Sequence, residues 1–121
     1  MNENKLMKSY TYKLKILIHF SVINTLVKKG ENVDARTGNG LTPLHIAVES
    51  GKSAVVECLL GNGAEVQLRG GTKDESALHI AARIEEGKGE KCVRMLIKSG
   101  ADPNMSMGDG RTAVHIAAEN G

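Results

Sequence analysis

Tryptophan is absent, and the three aromatic residues, Tyr10, Tyr12 and Phe20, all fall within the first twenty positions of a 121-residue chain. Everything beyond them must pack on Leu, Ile, Val, Ala and Met, so a composition boundary is expected near residue 20. That aliphatic stretch has no platform on which bases could stack. An excess of one charge is missing too. Residues 1–20 hold Lys5, Lys8, Lys13 and Lys15 against Glu3, a net of +3, and the remainder carries twelve basic and thirteen acidic residues. A near-neutral body offers no phosphate-neutralising stripe, so no nucleic acid is expected as a partner.

Cysteine is limited to Cys58 and Cys92. Two lone thiols read as small buried residues of a reduced, cytoplasmic protein rather than as a disulfide or zinc pair. Long apolar runs are lacking. Residues 16–23 are broken by His19 and Ser21, well short of the roughly 20 residues of a membrane helix. The same run is too short for a signal peptide, and no small-residue cleavage site follows it. Direct membrane insertion is therefore not expected. With 40% hydrophobic content the chain belongs with soluble folded proteins.

What the chain does have is a phrase written three times. Thr42-Pro43-Leu44-His45-Ile46-Ala47 returns as Ser76-Ala77-Leu78-His79-Ile80-Ala81 and again as Thr112-Ala113-Val114-His115-Ile116-Ala117, at intervals of 34 and 36 residues. A period of that length signals a stacked helical repeat. Thr42, Ser76 and Thr112 are helix caps, and Pro43 suits a first helical turn, where its missing N–H costs nothing. Ile23, Leu26 and Val27 before Gly30 match Val56, Leu59 and Leu60 before Gly63, and Val93, Leu96 and Ile97 before Gly100. Apolar residues at i, i+3 and i+4 make one helix face, and each glycine supplies the left-handed stop. Residues 22–29 are thus expected to be the second helix of a partial unit, with Lys28 and Lys29, like Lys98, complementing the last carbonyls. Asn39-Gly40 and Asp109-Gly110 read as tight reversals. The middle reversal, residues 70–75, is one residue longer and is expected to be wider and more mobile.

These units resemble the ankyrin-repeat family over about residues 22–121. The resemblance implies an all-α solenoid of stacked antiparallel helix pairs with short hairpin-like fingers, acting as a non-catalytic protein–protein interaction or scaffolding module without cofactor. The division expected is an atypical segment 1–21, a divergent cap or an artefact of the chain's start, then units at 22–38 (partial), 39–71, 72–107 and 108–121 (truncated). Between His79 and Leu96 three extra residues fall within 83–91, expected to form an exposed loop tolerated as a surface insertion. The third unit stops before its second helix, so the chain is expected to be a fragment of a longer array. The run from Arg36 to Ala47 and the residues 76–84 with their expanded loop further resemble the ankyrin array of NOMPC-type mechanosensory TRP channels. That implies an alternative: a slice of a cytoplasmic channel tether with a cytoskeletal partner.

Chemistry elsewhere fails on spacing. His45, His79 and His115 occupy one repeat position, but units stacked about 10 Å apart cannot share an ion with bonds of about 2 Å. Each imidazole is instead expected to bond the backbone of its own or the next finger. Gly51-Lys52-Ser53 lacks the earlier glycine of a P-loop, and residues 108–113 lack the βαβ context of a dinucleotide site. Asn104-Met105-Ser106 spells a glycosylation acceptor that needs secretion. No catalytic, metal or cofactor residue is assigned. What remains is surface. The resemblance places partner contacts on finger tips and exposed first-helix positions, here Asn39, Leu41, Glu49 and Ser50; Lys73, Asp74, Glu75, Arg83 and Ile84; and Asp109, Arg111, Glu119 and Asn120. Leu41 and Ile84, apolar among polar neighbours, are the expected anchors.

Overall fold

The structure is a computed structural model and describes residues 29–84 and 87–120. The expected segment 1–21 and nearly all of the expected helix at 22–29 lie outside the described residues. Among the described residues there are five helices: α1 (Pro43–Glu49), α2 (Ser53–Gly61), α3 (Ala77–Arg83), α4 (Glu90–Lys98) and α5 (Ala113–Asn120). Within units, α1 packs on α2 and α3 on α4; between units, α1, α3 and α5 stack in one row and α2 and α4 in another. Among the described residues the only bridges are the isolated pairs Gly70–Glu75 and Ser106–Thr112, so the fold is an all-α solenoid with minimal fingers.

The repeated phrase starts each first helix by a reciprocal cap. Thr42 Oγ1 accepts the His45 N–H at 3.4 Å, while the Thr42 N–H donates to His45 Nδ1 at 3.0 Å. Ser76 with His79 and Thr112 with His115 repeat the arrangement. Histidine thus fills the place usually held by Glu or Gln in a capping box, and such caps contribute about 1 kcal/mol each. Second helices end as the glycines require. Gly63 at φ +87° and Gly100 at φ +102° let their N–H groups reach Leu60 and Ile97 carbonyls, while Ala64 and Ala101 reach back to Leu59 and Leu96. Both are Schellman closures, with buried Leu59 or Leu96 beneath the alanine. Glu90 in the first turn and Lys98 in the last turn of α4 lie on the favourable ends of its dipole.

Apolar side chains meet between the two helix rows. Leu44, Val48, Val56, Leu59, Leu78, Ile80, Cys92 and Leu96 are each at most 3% exposed and form one continuous core. The expected insertion loop is shorter than the 83–91 span. Arg83 closes α3, Glu90 and Lys91 open α4, and Gly89 is buried. A Cβ on Gly89 would lie 2.1 Å from the Ala81 carbonyl oxygen, so this glycine is needed for close approach rather than for looseness. Exposed Lys88 lies over Gly51, carrying the loop back against the α1–α2 turn.

Candidate protein-binding surface

The fingers are laced to one another. In the first, the Gly40 N–H donates to the Thr37 carbonyl and Gly40 takes φ +85°; in the third, Gly110 does the same toward Met107 at φ +90°. The reversals at Asn39-Gly40 and Asp109-Gly110 therefore form as read from the sequence. The middle finger is wider. It is closed by two bonds between Gly70 and Glu75 and holds Asp74 at φ +51°, a conformation that Asp tolerates better than most residues. Backbone bonds then cross between tips, from the Gly71 N–H to the Asn39 carbonyl at 2.9 Å and from the Gly108 N–H to the Lys73 carbonyl at 3.3 Å. Gly70 makes this possible, since a Cβ there would sit 2.0 Å from the Gly40 oxygen.

Side chains reinforce the lacing at the same repeat positions. Arg36 Nη1 donates to Gly40 O at 3.0 Å and Arg69 O at 2.7 Å, and Arg69 Nη1 donates to Ser106 O at 2.9 Å. His45 Nε2 reaches Glu75 O at 2.9 Å and His79 Nε2 reaches Met105 O at 2.8 Å. Because each Nδ1 already accepts a backbone N–H, the proton must sit on Nε2 and the neutral imidazole is the form that fits. Burial pushes His45 below its ordinary pKa, in keeping with that form. The sequence reading expects a bond to the backbone of the own or the next finger; His45 and His79 make both, to the backbone N–H of their own cap residue and to a carbonyl of the next finger.

Between the second and third tips lies a cleft of about 410 Å³ lined by Thr72, Lys73, Asp74, Met107, Gly108, Asp109 and Arg111. Met107 forms an apolar floor, 4% exposed. Asp109 accepts the Arg111 backbone N–H at 3.0 Å and its Nε–H at 2.9 Å, which holds the carboxyl below the usual carboxylate range. Asp74 pairs with Arg69 at 3.3 Å. Lys73 is exposed and makes no ion pair among the described residues.

Behind the tips runs a second row of charges in alternating sign. Arg83 grips Glu75 with two bonds of 2.8 and 3.1 Å and approaches Glu49 of the preceding unit at 3.6 Å. The hydrogen bonds to Glu75 raise the Arg83 pKa further. In the next unit the signs are exchanged, with Arg111 bound to Glu119 at 2.5 Å. Internal pairing leaves this row without a free field for a strongly charged partner.

Of the candidate contact residues, Asn39, Glu49, Ser50, Lys73, Asp109 and Glu119 are exposed, and Leu41, Asp74, Arg83, Ile84 and Arg111 are half-buried. Glu75 differs. At 5% exposed it lies under Arg83, and its carbonyl accepts from both Gly70 and His45, so it supports the surface from beneath. The side chain of Asn120 is outside the described residues. Leu41 lies over Gly71, and Ile84 packs on the core, so each anchor offers one flank only. Arg36, Arg69 and Met107 were missed by the sequence reading. The 33-residue spacing of the two arginines was the available signal.

The thiols take no part in this surface. Burial raises the pKa of both Cys58 and Cys92, which keeps them protonated and poor nucleophiles. Among the described residues no three His, Cys, Asp or Glu gather in a way that could hold a metal ion, and no helix is long and apolar enough to cross a membrane.

Comparison with known proteins agrees with this architecture. A family model described as ankyrin repeats (3 copies) matches residues 14–107 and 67–121. An ankyrin repeat protein of fowlpox virus is 35% identical over 101 residues, 82% of this chain and 29% of the relative. An ankyrin repeat, SAM and basic leucine zipper domain-containing protein of Atelerix albiventris is 33% identical over 94% of this chain and 24% of its own length. A transient receptor potential cation channel subfamily A member homologue of Caenorhabditis elegans is 32% identical over 84% of this chain and 8% of the channel, which bears out the weaker likeness to TRP-channel arrays. The chain spans less than a third of each of these relatives. Helix pairs, laced fingers, histidine caps and the family match together establish that this chain belongs to the ankyrin-repeat family.

Proposed function

We propose that this chain is a non-catalytic protein–protein interaction module that takes its partner along the finger tips and the exposed ends of the first helices. The contact residues in this reading are Asn39, Leu41, Glu49, Ser50, Lys73, Asp74, Arg83, Ile84, Asp109, Arg111 and Glu119. One observation carries it: the tips are fixed by backbone bonds, yet the cleft between them keeps an apolar floor and, at its edge, Lys73, which makes no ion pair among the described residues. A pre-organised surface of that kind loses little entropy on binding. Neutralised charges behind the tips favour a protein surface of mixed polarity over a nucleic acid. The compartment in this reading is cytoplasmic, in keeping with two thiols that burial keeps protonated.

Paired charge changes test this. Lys73→Glu and Asp109→Lys on the tips are compared with Glu57→Lys, on α2 and away from the fingers. A partner captured by the wild-type chain and identified by cross-linking should lose at least about tenfold in affinity with the tip variants and keep it with the α2 variant. Retention by the tip variants together with loss by Glu57→Lys would move the interface to the second helices. The channel-tether reading, with its cytoskeletal partner, is not favoured: the likeness to the nematode channel covers 8% of that protein, and ankyrin repeat proteins whose names mention no channel match this chain at 35% and 33% identity.

A further inference from the structure

The second-helix side of the stack carries a notch that the finger surface does not use. It lies between α2 and α4, has a volume of about 330 Å³, and is lined by Glu57, Leu60, Gly61, Met95, Lys98 and Ser99. Leu60 and Met95 are half-buried and packed on the core, so their outer flanks make an apolar floor, and the other four lining residues are exposed. Gly61 leaves that floor open. Its repeat position holds Lys28 in the preceding unit and Lys98 in the following one. Unlike Gly63, Gly61 has no positive φ, and a Cβ there would meet nothing within 4 Å. Glycine weakens a helix relative to alanine, and here neither the backbone nor the packing calls for it. The charge beside the floor comes from α4. Lys91, Arg94 and Lys98 are exposed against one carboxylate of the same helix, Glu90, which pairs with Arg94 at 2.6 Å. Lys91 and Lys98, two turns apart on one face and so about 10 Å apart along the axis, make no ion pair among the described residues.

We infer that this notch docks an acidic amphipathic helix of a partner protein, which seats one aliphatic side chain on Leu60 and Met95 beside Gly61 and sets carboxylates against Lys91 and Lys98. The floor supplies the anchor point of helix-in-groove recognition, and the lysines supply orientation. Carboxylates at i and i+7 of the incoming helix match the lysine spacing, because both helices rise equally per residue. Glu57 is the one carboxylate lining the notch and opposes such an occupant. An anionic bilayer is the other acidic surface that a lysine ridge meets. Lipid-binding clusters gather about four to eight basic residues, however, and a flat surface would leave the floor uncovered. The docking site is separate from the finger tips and does not depend on what those bind.

The test titrates the full chain, labelled with nitrogen-15, with a synthetic alanine-rich peptide of about 18 residues, long enough to hold a helix alone, that carries one leucine stripe flanked by glutamates. A second peptide has lysine in place of every glutamate. The acidic peptide should give saturable amide shifts centred on Leu60, Gly61, Met95, Lys98 and Ser99, with Kd below about 1 mM, and should weaken several-fold between about 0.05 and 0.5 M salt. Gly61→Gln fills the notch with a good helix former, should leave melting unchanged or raised, and should weaken binding at least about tenfold. Lys98→Glu should weaken it at least about fivefold and Glu57→Gln should tighten it about twofold, while Lys73→Glu at the finger tips should bind as the wild type does. The inference is overturned if no saturable shift appears, if the shifts centre on Lys73 and Asp109, if Gly61→Gln binds as tightly as the wild type, or if the lysine peptide binds equally well. Co-sedimentation with phosphatidylserine vesicles in the absence of peptide binding also overturns it, since the ridge would then serve a membrane.

Discussion

Replacing Arg83 by Met is the most informative single change on the finger side of the molecule. The Glu75 side chain is 7% exposed and Arg83 is 29% exposed, so Arg83→Met strands a buried carboxylate while keeping most of the side chain's volume. Stripping one partner from a fully buried ion pair costs about 3–5 kcal/mol. Water already reaches nearly a third of Arg83, so the expected loss here is smaller, about 2–3 kcal/mol. For a domain of this size that corresponds to a fall in Tm of roughly 8–20 °C. Urea unfolding followed by far-ultraviolet circular dichroism suits the chain, which has no tryptophan to report by fluorescence. Glu75→Gln combined with Arg83→Met should be more stable than Arg83→Met alone, since it removes the stranded charge. Glu49→Gln, whose partner contact is 3.6 Å and half exposed, should change stability by less than about 0.5 kcal/mol. The reasoning fails if Arg83→Met costs under about 0.5 kcal/mol, or if the double variant loses the sum of the two single losses.

Three further outcomes follow from the same structure. His45 should titrate below its ordinary 6.5 in an NMR pH series, because burial disfavours the imidazolium. Since the unfolded chain binds that proton at higher pH than the folded one, the stability His45 contributes is complete above about pH 6.5 and is lost as pH falls toward its folded pKa, by at most about 1.4 kcal/mol per pH unit. A midpoint at or above 6.5 refutes this. Gly70→Ala should destabilise by at least about 2 kcal/mol in thermal melts, since its Cβ would collide with the Gly40 carbonyl, whereas Gly38→Ala meets nothing within 4 Å and should be neutral or slightly stabilising. Cys58, half-buried, should react with a thiol reagent in the native state at least about a hundredfold faster than Cys92, which is 0% exposed and should wait for unfolding. Equal rates would mean that α4 opens as readily as the surface.

The parts legible in the sequence were those whose cause is local. In all three units a hydroxyl three residues before a histidine caps a helix, and a glycine after an apolar i, i+3, i+4 run stops one. Hence the helix starts at Thr42 and Ser76 and the closures at Gly63 and Gly100 could be read in advance. The parts that were not legible depend on what lies across the fold. Glu75 shares a repeat position with Leu41 and Arg111, and nothing in its neighbours shows that Arg83, eight residues on, folds over it. Arg36 and Arg69 recur at a 33-residue spacing, but the backbone carbonyls to which they donate carry no sequence signature. Gly89 looks like loop punctuation but answers to the Ala81 carbonyl. Val114 fills the repeat position of Leu44 yet is 64% exposed against 2%, because burial depends on what packs across a position and not on the residue type there.

The lacing of the fingers has a mechanical meaning. Along the finger edge, neighbouring units are joined by directional bonds of fixed length: backbone to backbone, arginine to carbonyl, imidazole to carbonyl. Along the second-helix edge, α2 and α4 meet through side-chain packing, which tolerates sliding far better than a hydrogen bond tolerates stretching. Bending of the stack therefore pivots about the finger edge and is taken up on the opposite side. A partner held at the tips sits on the axis of that hinge, where its contacts are strained least as the rest of the molecule flexes.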